Sequence, residues 1–331
     1  MAGSVVILGA GAWGSALAIT LARGGHDVTL CPRRIEHCAD LKDAGENSAY
    51  LPGVMLPASL RLSADWPSAL HEAGIVVMAI PSRYARATLA PVAEAIPRAA
   101  TIVSVTKGIE RESLMTMTQM IADLTGRETG IAALSGPGFA AEIARGKPAA
   151  LVAAAHDDRI AADVRDQFAI RPLRVYSSND VVGVELGGTV KNIIAIAAGI
   201  SDGLELGSSA RAALITRGLA EMRRLAIAAG ARRETLSGLA GLGDMILTCC
   251  GELSRNRALG LAIARGQPPT PLESAHPVAE GMVNAQAISA LAERLHVEVP
   301  IVAAINRILY EGAPIIAMID ELLSRQLKAE F

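Results

Sequence analysis

A chain of 331 residues is long enough for two domains, and with 51% hydrophobic residues and a mean hydropathy of +0.36 it can bury a large core. Its net charge of −2, with no basic tract, argues against nucleic acid and against an anionic membrane surface as partners. Aromatic residues make up only 3% and alanine is abundant, so helices packed closely through small side chains are expected. Cys31, Cys38, Cys249 and Cys250 fit neither a zinc site nor a disulfide framework, and no two histidines have ligand spacing. A reducing cytoplasm and no metal are therefore expected.

The chain begins Met1-Ala2-Gly3-Ser4 and runs straight into Val5–Leu8, with no basic segment ahead of an apolar one, so no signal peptide is expected. Val5–Leu8 reads as a buried strand. Gly9-Ala10-Gly11-Ala12-Trp13-Gly14 follows as G-x-G-x-x-G, and Ser15–Ala22 reads as a helix ended by Gly24-Gly25. The glycine pattern alone is weak, but strand–turn–helix is the context a dinucleotide-binding unit requires. In that unit Gly9 permits the turn, Gly11 lets backbone approach a pyrophosphate, and Gly14 lets helix pack on strand. The free N–H groups of the helix start then face the phosphates.

Further strands are predicted at Asp27–Cys31, Ile75–Ile80, Thr101–Val105, Ile131–Leu134, Ala150–Ala155 and Leu173–Tyr176, with helices such as Tyr84–Ala95 and Leu114–Leu124 between them. This alternation predicts an α/β fold with a doubly wound parallel sheet. The second strand ends at Leu30-Cys31 and is followed by Pro32-Arg33-Arg34, with no acid before Glu36. A carboxylate there would select the ribose 2′-hydroxyl of NAD, whereas Arg33 and Arg34 suit the 2′-phosphate of NADP. Ordinary solvated loop arginines are the plain alternative.

From about Val181 onward the reading is all-helical: Val184–Ile200, Ala210–Ala229, Ser254–Ala264, Val283–Leu295 and Ile301–Glu311. A boundary near residue 180 is expected, with residues 1–180 binding the dinucleotide and 181–331 forming an all-α substrate domain. Gly266–Pro271 reads as an exposed loop. Val181–Ile200 has the length of a membrane span, but Glu185, Lys191 and Asn192 interrupt it, which predicts a buried core helix and no membrane insertion.

Several residues could carry chemistry. Lys191 lies in the most apolar helix. A snorkelling lysine is the plain reading, but desolvation would lower its pKa and suit it to deliver a proton to a ketone oxygen. Asp244, in Ala240–Asp244, is by default a helix N-cap. Ser254-Arg255-Asn256-Arg257 is by default an N-cap plus solvated charges, yet it also places an Arg fork and an amide at a helix N-terminus, a receptor for a phosphate dianion. Thr106-Lys107-Gly108 and Ser135–Phe139 follow predicted strands, at the ends where open α/β sheets bind ligands.

Taken together, these segments resemble the bacterial NAD(P)-dependent sn-glycerol-3-phosphate dehydrogenases. The resemblance runs through GAGAWGSALA (9–18), Asn47 with Tyr50-Leu51-Pro52, Pro81-Ser82, Thr106–Gly108, SGPGFAAE (135–142), GVELGGTVKNIIAIAAGISDG (183–203), ALITRGLAEM (213–222), AGLGD (240–244), SRNR (254–257) and Glu280-Gly281. It implies a Rossmann-type cofactor domain followed by an all-α domain. The implied reaction is reversible NAD(P)H-dependent reduction of dihydroxyacetone phosphate to sn-glycerol 3-phosphate for glycerophospholipid synthesis. By the same resemblance, Lys191 is the general acid/base, with Lys107, Asn192, Asp244 and Thr248 around the reacting end. Ser254, Arg255 and Asn256 fall at substrate or phosphate positions, and Gly136 and Gly138 at substrate-loop positions. Trp13, Ala140, Val278 and Glu280 fall at cofactor positions, shared with Lys107 and Arg255. Gly138 departs from the Thr or Ser of many members and leaves only backbone to serve there. Family analogy also implies a homodimer through the helical half. Two rivals remain open: a dehydrogenase of small β-hydroxyacids, which needs no phosphate receptor, and a non-catalytic dinucleotide sensor, which needs no acid/base lysine.

Overall fold

The computed structural model describes residues 4–267 and 279–326. The first strand, β1 (Ser4–Leu8), leads into α1 (Ala12–Arg23), followed by β2 (Val28–Cys31), α2 (Ile35–Ala44), β3 (Arg61–Leu62), α3 (Trp66–Leu70) and β4 (Ala73–Met78). Then come α4 (Ala85–Leu89), β5 (Thr101–Ser104), α5 (Met117–Thr125), β6 (Ile131–Ser135), α6 (Ala140–Ala144), β7 (Ala149–Ala154), α7 (Asp158–Phe168) and β8 (Leu173–Ser178). Every regular element described beyond residue 180 is a helix: α8 (Val181–Gly203), α9 (Gly207–Ala228), α10 (Arg233–Ser237), α11 (Asp244–Cys250), α12 (Arg255–Ala264), α13 (Glu280–Arg294), α14 (Pro300–Tyr310) and α15 (Ile315–Leu323).

The strands form one sheet in the order β3-β2-β1-β4-β5-β6-β7-β8. Its apolar strands alternate between two covered faces. Val5 and Ile7 point into a core shared with α1 and α7, while Val6 and Leu8 point into a core shared with α3, α4 and α5. Strands buried on both sides read as continuous apolar runs, which is why they were visible in the sequence. Strand order reverses between β1 and β4, and the crevice outside their carboxyl ends is the position where such sheets bind ligands.

The structure departs from the expected elements in three places. The sheet is not wholly parallel: β7 pairs antiparallel with β6, while β8 returns parallel to β7. The short edge strand β3 was not foreseen, because two residues carry no periodicity. The helix expected over Tyr84–Ala95 is broken, with 3₁₀ turns at Ser82–Tyr84 and Ala90–Ala95 flanking α4. Pro91 is the second residue of the second turn, where its missing N–H interrupts α-helical bonding.

The second core surrounds α8, whose residues Val184 to Ser201 are buried without a break. This helix is long and apolar enough to cross a membrane, yet 94% of that window is buried inside the protein. The three residues that interrupt its apolar run, Glu185, Lys191 and Asn192, all have internal partners. The Asp180 carboxylate caps its start by accepting from the Gly183 N–H (2.9 Å). Glu185 accepts from the N–H (2.9 Å) and hydroxyl (2.5 Å) of Thr118 and so ties α8 to the start of α5. Small side chains permit the close crossing with α12: a Cβ at Gly199 would lie 2.0 Å from the Arg257 carbonyl oxygen, and one at Gly260 2.1 Å from that of Ile196.

Candidate active site

A cleft of about 840 Å³ runs from the carboxyl ends of β1, β2 and β4 to the middle of α8. Its first wall is the glycine turn after β1. Gly9 adopts φ +109°, and a Cβ there would stand 2.5 Å from the Ala79 carbonyl oxygen. A Cβ at Gly14 would stand 2.0 Å from the Gly9 carbonyl, so only glycine lets α1 start so close to the turn. At Gly11 a Cβ would meet nothing within 4 Å, which leaves open space beside the backbone. The first main-chain bond of α1 runs from the Ser15 N–H to the Gly11 carbonyl (2.9 Å), so the preceding amides are free helix-start donors. An open cradle with free donors fits a dinucleotide pyrophosphate.

Farther along the same wall, Arg33 and Arg34 are exposed at the end of β2 and line the cleft, with His37 and Tyr50 beside them. Arg33 lies 5.9 Å from the Tyr84 ring centroid and Arg83 lies 4.4 Å from it. Trp13 and Ala140 line the same space. Phe139, within the Ser135–Phe139 segment expected at a ligand-binding strand end, lines it too, as do His37, Tyr84 and Arg145, which were not singled out from the sequence. His37 reaches the cleft from α2, Tyr84 from the 3₁₀ turn after β4 and Arg145 from the end of α6, and no local pattern marks any of the three.

At the inner end three charged side chains from three separate segments meet. Asp244 is fully buried. Its Oδ1 accepts from Lys191 Nζ (2.6 Å) and its Oδ2 from Lys107 Nζ (2.5 Å). Lys107 also donates to the Gly136 carbonyl (3.1 Å), and Lys191 to Thr248 Oγ1 (2.7 Å). The Thr248 hydroxyl spends its own hydrogen on the Asp244 carbonyl (2.6 Å), which leaves its lone pairs for Lys191. Burial drives the Lys191 ammonium down to about 7; Asp244 opposes the shift and Lys107 reinforces it. While Lys191 is protonated, two ammoniums share one carboxylate and the cluster carries a net positive charge at the cleft floor.

This geometry corrects two default readings. Lys191 does not snorkel, since it is 5% exposed and ion-paired. Asp244 is not an N-cap. It stands inside the helical region, preceded by a π-turn over Leu239–Gly243, and its side chain reaches across to α8 and to the loop after β5.

The SRNR segment divides. Ser254 caps α12 by accepting from the Arg257 N–H (3.2 Å). Arg257 is no anion receptor, because Asp202 holds its guanidinium at 2.7 Å. Asn256 is buried and committed: its Nδ2 donates to Asn192 Oδ1 (2.9 Å) and its Oδ1 accepts from the Gly281 N–H (2.9 Å). Arg255 remains on the cleft wall at the free amides of the α12 start, with Glu280 facing it. The Glu280 carboxyl is pushed up to about 7 by burial, against the pull of Arg255 and Arg83.

Of the residues expected at the site, Gly9, Gly11, Trp13, Gly14, Arg33, Arg34, Lys107, Gly138, Ala140, Lys191, Asn192, Asp244, Thr248, Ser254, Arg255, Asn256 and Glu280 line one cleft. Gly136 is set back from it and acts through its carbonyl on Lys107. Val278 and the Pro268–Pro271 part of the expected loop lie outside the described residues. At Gly138 a Cβ would come within 2.7 Å of Ile143 Cδ1 and 3.4 Å of the Trp13 ring, so the missing side chain is matched by local packing.

Residues 4–161 match the family described as NAD-dependent glycerol-3-phosphate dehydrogenase N-terminus, and residues 180–320 match its C-terminus. The chain belongs to this dehydrogenase family. It is an NAD(P)-dependent oxidoreductase. A relative in Thiobacillus denitrificans, named glycerol-3-phosphate dehydrogenase [NAD(P)+], is 48% identical over 330 residues, covering 99% of both chains. One of the same name in Geobacter sp. (strain M21) is 44% identical over 333 residues, covering 100% of this chain and 99% of its own. The crystal structure of the glycerol-3-phosphate dehydrogenase from Coxiella burnetii superposes on this dehydrogenase with a TM-score of 0.92 at 38% identity. That match covers 98% of this chain and 99% of the other.

Proposed function

We propose that the cleft catalyses the reversible NAD(P)H-dependent reduction of dihydroxyacetone phosphate to sn-glycerol 3-phosphate. The observation that carries this reading is the Lys191–Asp244–Lys107 cluster at the inner end of a dinucleotide-shaped cleft. When bound, the nicotinamide supplies the hydride. Lys191, held near neutrality by burial, gives its proton to the carbonyl oxygen and recovers one on the reverse path. Asp244 fixes the direction of the Lys191 ammonium, and Thr248 accepts a second of its hydrogens. Lys107 adds positive charge where the alkoxide develops, in a site closed to water on the Asp244 side. Arg255 and the start of α12 hold the phosphate, and binding energy spent there orients the distant carbonyl. Asn192 and Asn256 brace one another and keep α12 in place against α8.

In this reading residues 1–180 bind the cofactor and residues 181–331 bind the substrate. Gly9, Gly11 and Gly14 cradle the pyrophosphate, and Arg33 and Arg34 receive the 2′-phosphate when NADP(H) is used. Val278 and Glu280 complete the cofactor contacts. The product serves glycerophospholipid synthesis in the cytoplasm. The enzyme is a homodimer that neither enters a membrane nor binds nucleic acid. Oxidation of NADPH with dihydroxyacetone phosphate as sole acceptor tests the assignment, and inertness toward it in a folded enzyme rejects it. The sensor alternative is disfavoured by the desolvated Lys191, for which cofactor binding alone has no use. Arg255, facing the cleft at a helix start, is the observation against a β-hydroxyacid substrate.

A further inference from the structure

We propose that Asn284 is a positioning residue for this reaction: its amide clamps the backbone of the Lys107 loop against α13 and so sets where the Lys107 ammonium meets Asp244. The inference rests on the reading of Lys191 as proton donor with Lys107 as its charged neighbour.

Asn284 lies one turn beyond Glu280 on α13 and is fully buried. Its Oδ1 accepts from the Ile109 N–H (3.0 Å). Its Nδ2 donates to the Glu280 carbonyl (2.9 Å) and lies 3.4 Å from both the Lys107 carbonyl oxygen and Glu280 Oε2. A buried loop leaving a sheet has backbone groups that need partners, and here one side chain from 175 residues away supplies them. The loop also approaches α13 very closely. A Cβ at Gly108 would stand 2.5 Å from Ser82 Oγ and 2.8 Å from Asn284 Oδ1. The main chain on either side of Gly108 is therefore pinned between the turn after β4 and α13. From this pinned point the Lys107 side chain extends to Asp244 and to the Gly136 carbonyl.

Among the described residues, the titratable groups acting on Lys191 are Asp244 and Cys249 on α11 and Lys107 after β5. Lys107 keeps the Lys191 ammonium low. Freeing the loop withdraws that charge, so Lys191 titrates higher and the developing alkoxide loses a counter-charge. Asn284 also contacts Glu280 on the cofactor side, so one amide joins the two ends of the cleft.

The test is the pH dependence of dihydroxyacetone phosphate reduction by Asn284→Ala, Lys107→Met and the double variant, with thermal melting and KM values measured alongside. The expected result is a kcat lowered by about tenfold to a hundredfold, as small misplacements near reacting atoms cost. KM for NADPH should change less than kcat. The apparent pKa assigned to Lys191 should rise in Asn284→Ala and in Lys107→Met, with no further rise in the double variant. A lowered melting point with wild-type kcat and pH profile would overturn the proposal, as would shifts that add in the double variant. Should Asn284→Ala fail to fold, Asn284→Ser carries the same expectation, because its hydroxyl is too short to reach the loop. Gly108→Ala tests the contact from the loop side and should reproduce the shift. A Lys191→Ala enzyme that keeps its turnover would instead reject the underlying reading, whatever Asn284 does.

Discussion

Lys191 and Asp244 stand 53 residues apart in sequence and meet at 2.6 Å in the interior, with the lysine on the central helix of one core and the aspartate just past a π-turn. A desolvated ammonium held by one carboxylate, itself shared with a second ammonium, has few other uses than proton exchange. Lys191→Ala should leave the melting point and NADPH affinity near wild type while kcat falls about 10²–10⁴-fold, the usual value of one acid/base group. Steady-state kinetics together with cofactor titration check this, and retention of a tenth of wild-type kcat would refute it.

The same pair sets a pH profile. Burial moves Lys191 down to about 7, so the ammonium form needed for ketone reduction is lost as pH rises through that value. The kcat/KM for reduction should therefore fall on the alkaline side of about 7, and that for alcohol oxidation should rise over the same range. Asp244→Asn removes the group that opposes the desolvation and should move both limbs to lower pH. An unshifted profile in that variant would show that another group titrates.

Stability has its own titrating group in Glu221 on α9. It is 2% exposed and accepts from the N–H groups of Ile301 (2.8 Å) and Val302 (3.2 Å), at the start of α14. Burial raises its carboxyl to about 7 in spite of these bonds. A folded-state pKa above the unfolded value of about 4.3 means that the neutral form is favoured by folding. This contribution is complete below about pH 4 and is lost as pH rises through 7. Glu221→Gln keeps the shape without the charge. Relative to it, wild type should lose up to about 3 kcal/mol between pH 5 and pH 8. Parallel melting curves at the two pH values would contradict this.

The residues that were legible in the sequence are those whose meaning is local. The run from Val5 to Gly14 carries strand, turn and helix start within a single stretch, and the apolar length of α8 made Lys191 conspicuous. What stayed hidden depends on partners far along the chain. Arg257 reads as a free charge until Asp202 arrives from α8, and Asp244 reads as a cap until two lysines reach it. The antiparallel turn of β7 and the pairing of β3 are decided by neighbouring strands, and nothing within those segments encodes them. Asn284 gave no signal, and Glu221 none beyond its place in ALITRGLAEM, because a single buried polar residue in a helix looks the same whether it braces a loop or faces water.

Arg255 is the cation of SRNR that faces the cleft without an ion-pair bond among the described residues, since Arg257 is bound to Asp202. Arg255→Ala should raise KM for dihydroxyacetone phosphate far more than for unphosphorylated dihydroxyacetone, because only the phosphate uses the guanidinium fork. Equal losses on both substrates would assign Arg255 to structure or to the cofactor.

Cofactor choice follows from the end of β2. Cys31 closes that strand, and Pro32 and the exposed Arg33 and Arg34 follow, so the strand end itself carries arginines rather than a carboxylate to bind a ribose 2′-hydroxyl. Both arginines line the cleft, as does His37 one turn into α2. Guanidinium groups attract a 2′-phosphate and gain little from a hydroxyl. NADPH should therefore be used at least as well as NADH, measured as kcat/KM at fixed dihydroxyacetone phosphate. Arg33→Ala/Arg34→Ala should raise KM for NADPH by about tenfold or more, in keeping with the loss of charge-assisted bonds of about 1.5–3 kcal/mol. KM for NADH should stay within about twofold, because surface substitutions away from a contact cost little. Since both arginines are exposed, salt should weaken NADPH binding more than NADH binding in wild type and erase the difference in the double variant. A wild-type enzyme that strongly prefers NADH would show that these two side chains do not read the phosphate.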